Sequence, residues 1–296
     1  MIDLHMHTKH SDGTDSVSEI LMNAEKVKLE VISITDHNSV KAYLEMDKFD
    51  WHDYYQGDIV TGCEFTTAYK DRLIEVLGYG FDYHIIDEYL KKYYSEEIID
   101  ENARFLYKRL MRKIKEYGLI GNFIDRSNDF FDSEFFERDV YTELAKYPQN
   151  KDILGEDIFG SLSDFFRNGL TNVNSKMYMN YPDFKPPLEE IIEIIHAAGG
   201  KVFLAHPYQY KFDDTEMFIG RIYDEYDFDG IECYYTTFTD YQTNFLIDFA
   251  ARRGLLISGG SDYHGANKVN HNLGIGSGNL RISRDILNDF KVNFYN

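Results

Sequence analysis

Hydrophobic and polar positions along this chain switch repeatedly between the alternation of a strand and the three-to-four spacing of a helix. "MIDLHMH" reads as a first strand. A helix follows from about Val17 to Leu29, with Ser16 placed as its N-cap and Glu19 placed to close a capping box. "EVISITDH", "DIVTGCEF" and "RLIEVLGYGF" give a second, third and fourth strand. Strand signals resume only near residue 200. "KPPLEEIIEIIHAAGGKVFLAHP" is a helix–strand unit: Pro187 suits the first turn, Gly199-Gly200 stops the helix, and a fifth strand runs into His206. "DFDGIECYY" and "GLLISGGSDYH" are the sixth and seventh strands, with a helix around Asp240 to Arg253 between them.

Strands alternating with helices predict the α/β class, and seven of them are read most economically as a (β/α)7 barrel built from residues 1–83 and 187–296. Residues 84–186 break the rhythm and read as a mainly helical insertion capping the C-terminal mouth. Within it Asp100 is placed to cap a helix whose apolar stripe is Ala103, Leu106, Leu110, Ile114 and Tyr117. Arg104, Lys108, Arg112 and Lys115 lie along another face, read as a solvated row balanced by Glu101 and Glu116.

Composition narrows the function classes. An apolar fraction of 43% across 296 residues is enough for a substantial core. No apolar run reaches the roughly eighteen residues of a membrane helix. The first residues carry Asp3, His5 and His7 where a signal peptide would be basic and apolar, so the cytoplasm is expected. Cys63 and Cys233 are too few for a disulfide framework or a thiolate zinc site. A formal net charge of -20 argues against wrapping long nucleic acid and leaves a small phosphorylated substrate open.

The candidate chemistry recurs at strand ends. His5 and His7, two apart, share a face of the first strand, and the same alternation puts Asp3 there. Taken singly, such a pair reads more readily as ordinary polar residues near a barrel mouth than as metal ligands. Asp12 follows, Asp36 and His37 end the second strand, and Glu64 ends the third. His206 ends the fifth, and Asp262 and His264 end the seventh. In a parallel barrel these ends converge, and burying so many potential charges without a cation would be prohibitive. Imidazole and carboxylate without thiolate suit Mn, Fe or catalytic Zn, and this many ligands suit two or three ions with Glu64 as a bridge. Such a cluster can generate a hydroxide nucleophile and clamp a phosphoryl group.

Together "DLHMHT" with "SDG", "TDHN", "GCEF", "AHP" and "SGGSDYHG" resemble the motifs of the PHP (polymerase and histidinol phosphatase) superfamily of metal-dependent phosphoesterases. The insertion followed by "AAGGKVFLAHP" is similar to the stand-alone members that act on nucleoside 3',5'-bisphosphates and short oligonucleotides. The resemblance implies a distorted (β/α)7 barrel and a trinuclear centre. His5, His7, Glu64 and Asp262 would hold the first metal, Glu64 and His206 the second, and Asp12, His37 and His264 the third. Where such relatives usually carry a histidine in the fourth strand, this chain has Glu75, a carboxylate that would favour harder ions such as Mn.

Asp36, His206 and His264 are the catalytic candidates, with Asp36 and Glu232 also placed to orient an imidazole. Arg104, Arg167 and Lys176 are candidates for a non-reacting phosphate, and Tyr178 and Tyr208 for stacking on a base. His10, His271 and His196 are read as surface or helix-end residues. The function expected is hydrolysis of small nucleotide phosphomonoesters or terminal phosphodiesters. The alternatives are a phosphatase for a small metabolite such as histidinol phosphate, or a non-catalytic metal-stabilised binding module.

Overall fold

The computed structural model describes residues 1–70, 72–123, 136–210 and 212–295. Its first half lays down β1 (Ile2–Asp3), α1 (Val17–Lys26), β2 (Val31–Ile32), α2 (Lys41–Met46), β3 (Asp58–Val60), β4 (Gly62–Tyr69), β5 (Arg72–Tyr79) and α3 (Tyr83–Tyr94). Helices α4 (Glu96–Glu116), α5 (Phe136–Leu144), α6 (Gln149–Leu154) and α7 (Leu162–Asp164) come next. The chain then returns to alternation with α8 (Leu188–Ala197), β6 (Lys201–Leu204), α9 (Thr215–Glu225), β7 (Gly230–Tyr235), α10 (Asp240–Arg253), β8 (Leu256–Gly260) and β9 (Phe294–Tyr295).

The architecture is α/β with two mixed sheets, ordered β1-β2-β3-β9 and β4-β5-β6-β7-β8. The closed seven-stranded barrel expected from the sequence is not found among the described residues. Short bridges nevertheless link the sheets. On one side Leu4 N–H donates to the Gly259 carbonyl (3.2 Å) and Asp262 N–H to that of His5 (2.8 Å). On the other, His37 and Glu64 form a parallel bridge.

Three local differences have physical causes. The expected third strand breaks at Thr61, whose hydroxyl donates to the Phe81 carbonyl (2.7 Å), so β3 and β4 enter different sheets. The link from β4 to β5 is too short for the crossover a parallel neighbour needs, and β5 meets β6 antiparallel. The last strand, β9, pairs antiparallel with β3; its Tyr295 hydroxyl donates to Asp47 (2.8 Å), a long-range anchor with no local signal.

Helix boundaries follow their caps. The Ser16–Glu19 capping box starts α1, and Lys28, at φ +59°, turns the chain before Leu29. Gly199, at φ +84°, ends α8 without the penalty a side chain would carry there. Asp100 does not cap α4: Ser95 does, accepting from Ile98 N–H, and Asp100 instead pairs with Arg104 one turn on (2.7 Å).

Two compact units result. One comprises Met1–Thr67, Ile74–Leu90 and Pro186–Asn296, the other Ala68–Leu73 and Lys91–Lys185. In the first, Ile2, Leu4, Val31, Leu77, Phe203 and Phe290 are core residues between strands and the C-terminal segment. In the second, Leu106, Leu110, Leu144, Phe165, Leu170 and Met177 form a separate core. Among the described residues no helix is long and apolar enough to cross a membrane.

Candidate metal centre

Backbone geometry brings the strand-end side chains of the first unit together. Asp262 adopts the left-handed region at φ +53°, as does Asn38 at +49°; Asp and Asn tolerate this better than most residues, and such positions concentrate at functional sites. Two glycines allow the close approaches. A Cβ on Gly260 would lie 2.4 Å from that of His5, and one on Gly13 only 2.3 Å from the His7 carbonyl oxygen.

Glu64 and Asp262 occupy the centre. One Glu64 oxygen, Oε2, lies 3.2 Å from His5 Nε2, 3.3 Å from His7 Nε2 and 3.2 Å from His37 Nδ1. Its other oxygen is 2.8 Å from His206 Nε2. Asp262 Oδ1 lies 3.5 Å from His5 Nε2 and 3.3 Å from His7 Nε2. Asp12 Oδ2 is 3.1 Å from His264 Nε2 and 3.9 Å from His37 Nε2. Glu75 reaches His206 Nε2 at 3.5 Å.

These atoms fall into overlapping groups with ligand atoms mutually within 4.8 Å: His7, Asp12, His37 and His264; His5, His7, Glu64 and Asp262; His5, His206 and Glu232; and His37, Glu64 and Glu75. The donor set fits divalent cations on a second count. His5 Nε2, His7 Nε2, His37 Nδ1, His206 Nδ1 and His264 Nε2 are all buried without a hydrogen-bond partner. The four on His5, His7, His37 and His264 lie beside Glu64, Asp262 or Asp12 and are what a metal would satisfy.

Electrostatics point the same way. Burial opposes charge on His5, but the carboxylates of Glu64, Glu232 and Asp262 outweigh it and push the imidazole well above its ordinary pKa. His7, also buried, is raised to about 9 by Asp262, Glu64 and Asp12. Burial works against ionising Glu64 and Asp262, yet neighbouring imidazoles (with Lys268 in the case of Asp262) hold both well below the usual carboxylate range. His264 falls to about 4 through burial and the neighbouring His7. The carboxylates at the centre favour neighbouring positive charge, which a divalent cation can supply.

Surrounding groups fix the rings. Glu232 Oε1 lies 2.9 Å from His5 Nδ1, while its Oε2 accepts from His206 N–H at 2.7 Å. This holds Nδ1 of His5 in one tautomer and directs Nε2 to the centre. Asp36, a candidate for catalysis or for orienting an imidazole, is tied to the first βα turn. Its oxygens are taken by Thr8 N–H (2.7 Å), Thr8 Oγ1 (2.7 Å) and Ser11 Oγ (2.6 Å), which anchors the turn carrying Asp12. Asp3 lies one step below His5 and binds Ser261 and Gly274 instead of facing the cluster.

The remaining candidates have these surroundings. Arg104, Arg167, Lys176 and Tyr178 belong to the second unit. There Lys176 Nζ donates to the Ile153 carbonyl (3.1 Å) and Tyr178 to Asn180 (3.2 Å). Tyr208 follows His206 in the first unit, its ring edge-on to Phe238 at 5.5 Å. His10 pairs with Glu45 and His196 with Asp229. Cys63 and Cys233 are free and buried.

Two residues at the site carry no motif signal. Tyr235 and Lys268 each donate to Asp262 Oδ2 at 2.6 Å, leaving Oδ1 for the imidazoles. Strict alternation along β7 would pair the outlook of Glu232 with Tyr234. A bulge between them inserts Cys233 and brings Tyr235 to that face instead. Only the position of Lys268, six residues past Asp262 in the same loop, hinted at its role.

Comparison with known proteins agrees with this geometry. The 5'-3' exoribonuclease Rnm of Escherichia coli K12 is 23% identical over 271 residues, covering 88% of this chain and 84% of that protein. Two solved structures share the fold, each with TM-score 0.65 and 22% identity. One, described as a presumptive metal-dependent phosphoesterase from Bifidobacterium adolescentis, is matched over 98% of this chain and 94% of that one. The other, an amidohydrolase from Chromobacterium violaceum with bound sulfate and no metal, is matched over 90% and 88%. The PHP domain model matches residues 3–205, more than half of the sequence, so the chain belongs to the PHP domain family and is a metal-dependent phosphoesterase.

Proposed function

We propose that this phosphoesterase hydrolyses phosphomonoesters or terminal phosphodiesters of small nucleotides, nucleoside 3',5'-bisphosphates among them, using two or three divalent ions of Mn, Fe or Zn. The observation that carries the reading is the set of four buried imidazole nitrogens without hydrogen-bond partners, on His5, His7, His37 and His264, gathered around Glu64, Asp262 and Asp12. His5, His7, Glu64 and Asp262 would hold one ion. Glu64, His206 and Glu75 would hold a second, and Asp12, His37 and His264 a third. Bound metals would supply an activated water and positive charge for the phosphoryl oxygens.

The protein's own groups do the rest. Glu232 keeps His5 oriented, and Tyr235 and Lys268 hold Asp262. Asp36 steadies the turn that presents Asp12. His206 and His264 are the groups of the site proposed to touch the reacting phosphoester. The two bridges that tie the sheets support a distorted (β/α)7 arrangement of the strands around this centre.

Similarity to an exoribonuclease over most of the chain supports a nucleotide ester, and the net charge of -20 favours small substrates over long duplexes. The test couples metal quantification to phosphate release from adenosine 3',5'-bisphosphate and histidinol phosphate by one Mn-loaded sample. Faster turnover of the bisphosphate is expected. Preference for histidinol phosphate would redirect the reading to small metabolites, and full metal occupancy without turnover of any phosphoester would end it.

A further inference from the structure

Beside Asp262 the first unit carries an open cleft of roughly 570 Å³, within the few-hundred-to-thousand Å³ range of small-ligand sites. Thr236 and Thr237, just past β7, form one wall, and Lys268, Val269, Asn270 and His271 from the loop after β8 form the other. The cleft adjoins the metal centre through two of these residues. Lys268 Nζ is 2.6 Å from Asp262 Oδ2, and His271 Nδ1 lies 3.9 Å from the same oxygen.

The lining has a definite chemistry. Its one cation, Lys268, is already engaged by Asp262, and no arginine is among the described lining residues, so recognition within the cleft rests on other groups. Uncharged hydrogen-bonding groups dominate instead. His271 Nδ1 donates to the Ser261 carbonyl (3.0 Å), which leaves Nε2 as the ring's remaining acceptor. Thr237 Oγ1 accepts from Gln209 (2.7 Å) and keeps its own proton to donate. Asn270 offers both an amide donor and a carbonyl acceptor. Val269, 81% exposed, supplies an apolar surface at the edge.

Building on the phosphoesterase reading above, we infer that this cleft receives the nucleoside, sugar and base, of the nucleotide whose phosphate is hydrolysed at the adjoining centre. Neutral donors and acceptors match ribose hydroxyls and base edges, and Val269 gives the flat base an apolar contact. The cleft is thereby the part of the site that separates nucleotides from other phosphate esters.

The test fills the cleft. Val269→Trp places bulk at an exposed position that the fold does not need. The readouts are the ratio of kcat/KM for adenosine 3',5'-bisphosphate to that for glycerol 2-phosphate, and the affinity for AMP measured by calorimetry on metal-free protein. Val269→Trp is expected to lower the ratio at least tenfold and to weaken AMP binding at least tenfold. Asn270→Ala should weaken AMP binding several-fold. Val27→Trp, an exposed apolar site just after α1, is the control and should move neither quantity.

An unchanged ratio together with unchanged AMP affinity in Val269→Trp would overturn the inference, as would an equal fall for both substrates. If the wild type hydrolyses no phosphoester, the functional reading fails by itself. Calorimetry then still decides the cleft: AMP binding lost in Val269→Trp supports it, and absence of AMP binding to the wild type overturns it.

Discussion

Glu64 and Glu137 are both buried carboxyl groups, one in each compact unit, and their surroundings drive them in opposite directions. Burial opposes ionisation of Glu64, but His5, His37 and His206 hold its pKa well below the ordinary value. Glu137 is buried among the helices of the second unit, with the Tyr181 hydroxyl donating to it at 2.7 Å. Burial raises it to about 7, and Tyr181 and the distant charge of Lys185 only partly offset this. Desolvation is common to both; what separates them is the number of positive partners. A buried carboxyl whose pKa is held down by imidazoles marks a site built for cations, whereas one pushed up by burial marks a core that tolerates a polar group.

The largest effect that would break this contrast belongs to the metal centre. Asp262→Asn removes the charge that His5, His7, Tyr235 and Lys268 share. Phosphate release should fall at least about a thousandfold, equivalent to roughly 4 kcal/mol, with metal content reduced in parallel. Glu137→Gln should leave turnover at pH 7 within about twofold. Steady-state kinetics on metal-saturated samples would check both. A Glu137 variant as inactive as the Asp262 one would erase the distinction between the units.

Next in size is the pH dependence of the second unit's stability. Because the folded-state pKa of Glu137 is raised from 4.5 to about 7, the folded protein holds this proton more tightly than the unfolded chain. The associated stability is full below about pH 4.5 and is lost as pH rises through about 7, a change on the order of 3 kcal/mol. Glu137→Gln keeps a neutral partner for Tyr181 and should flatten that slope. Denaturation of wild type and variant at pH 5 and pH 8 checks the sign: a slope left unchanged by the variant would mean another group carries it.

Much of the centre could be read before any coordinates, because a strand's period of two sends His5 and His7 to one face and strand ends gather the rest. The supporting groups were harder to read. Tyr235 reaches Asp262 only through the bulge at Cys233, and a bulge reverses the parity on which strand reading depends. From its strand-end position Asp36 reads equally as a group that orients an imidazole or one that contacts substrate, yet its partners Thr8 and Ser11 lie in another βα turn. In the fold, the helices α1 and α8 are marked in the sequence by their start and stop signals. The pairing of β5 with β6 and of β9 with β3 depends on long-range contacts, which leave no local pattern.

Glu232 offers a smaller test of how the first unit supports its charges. It binds His5 Nδ1 and the His206 backbone but sits behind the rings. Glu232→Gln preserves shape while removing the charge that holds the His5 tautomer. Metal affinity should weaken about tenfold to a hundredfold, the usual scale for such orienting partners. Competition with a chelator would read this directly. An unchanged affinity would mean that His5 is positioned by packing alone.

The finest comparison concerns how each unit starts a long helix. In the first, Ser16 and Glu19 cap α1 reciprocally, Ser16 N–H donating to Glu19 Oε2 at 2.7 Å and Glu19 N–H to Ser16 Oγ at 3.3 Å. In the second, Ser95 caps α4 alone, accepting from Ile98 N–H at 3.4 Å. Replacing either serine by alanine should cost about 1 kcal/mol of local stability. The loss should be greater at Ser16, because its hydroxyl also donates to Glu19 Oε2 at 2.7 Å, leaving only the backbone N–H to hold that carboxylate. Amide exchange over the first turn of each helix reads the two sites separately, which matters because two units need not unfold as one. If Ser95→Ala loosens its helix more than Ser16→Ala does, then α4 depends on its single cap more than on the apolar stripe of Leu106, Leu110 and Ile114, and the second unit is held less by its core than its burial implies.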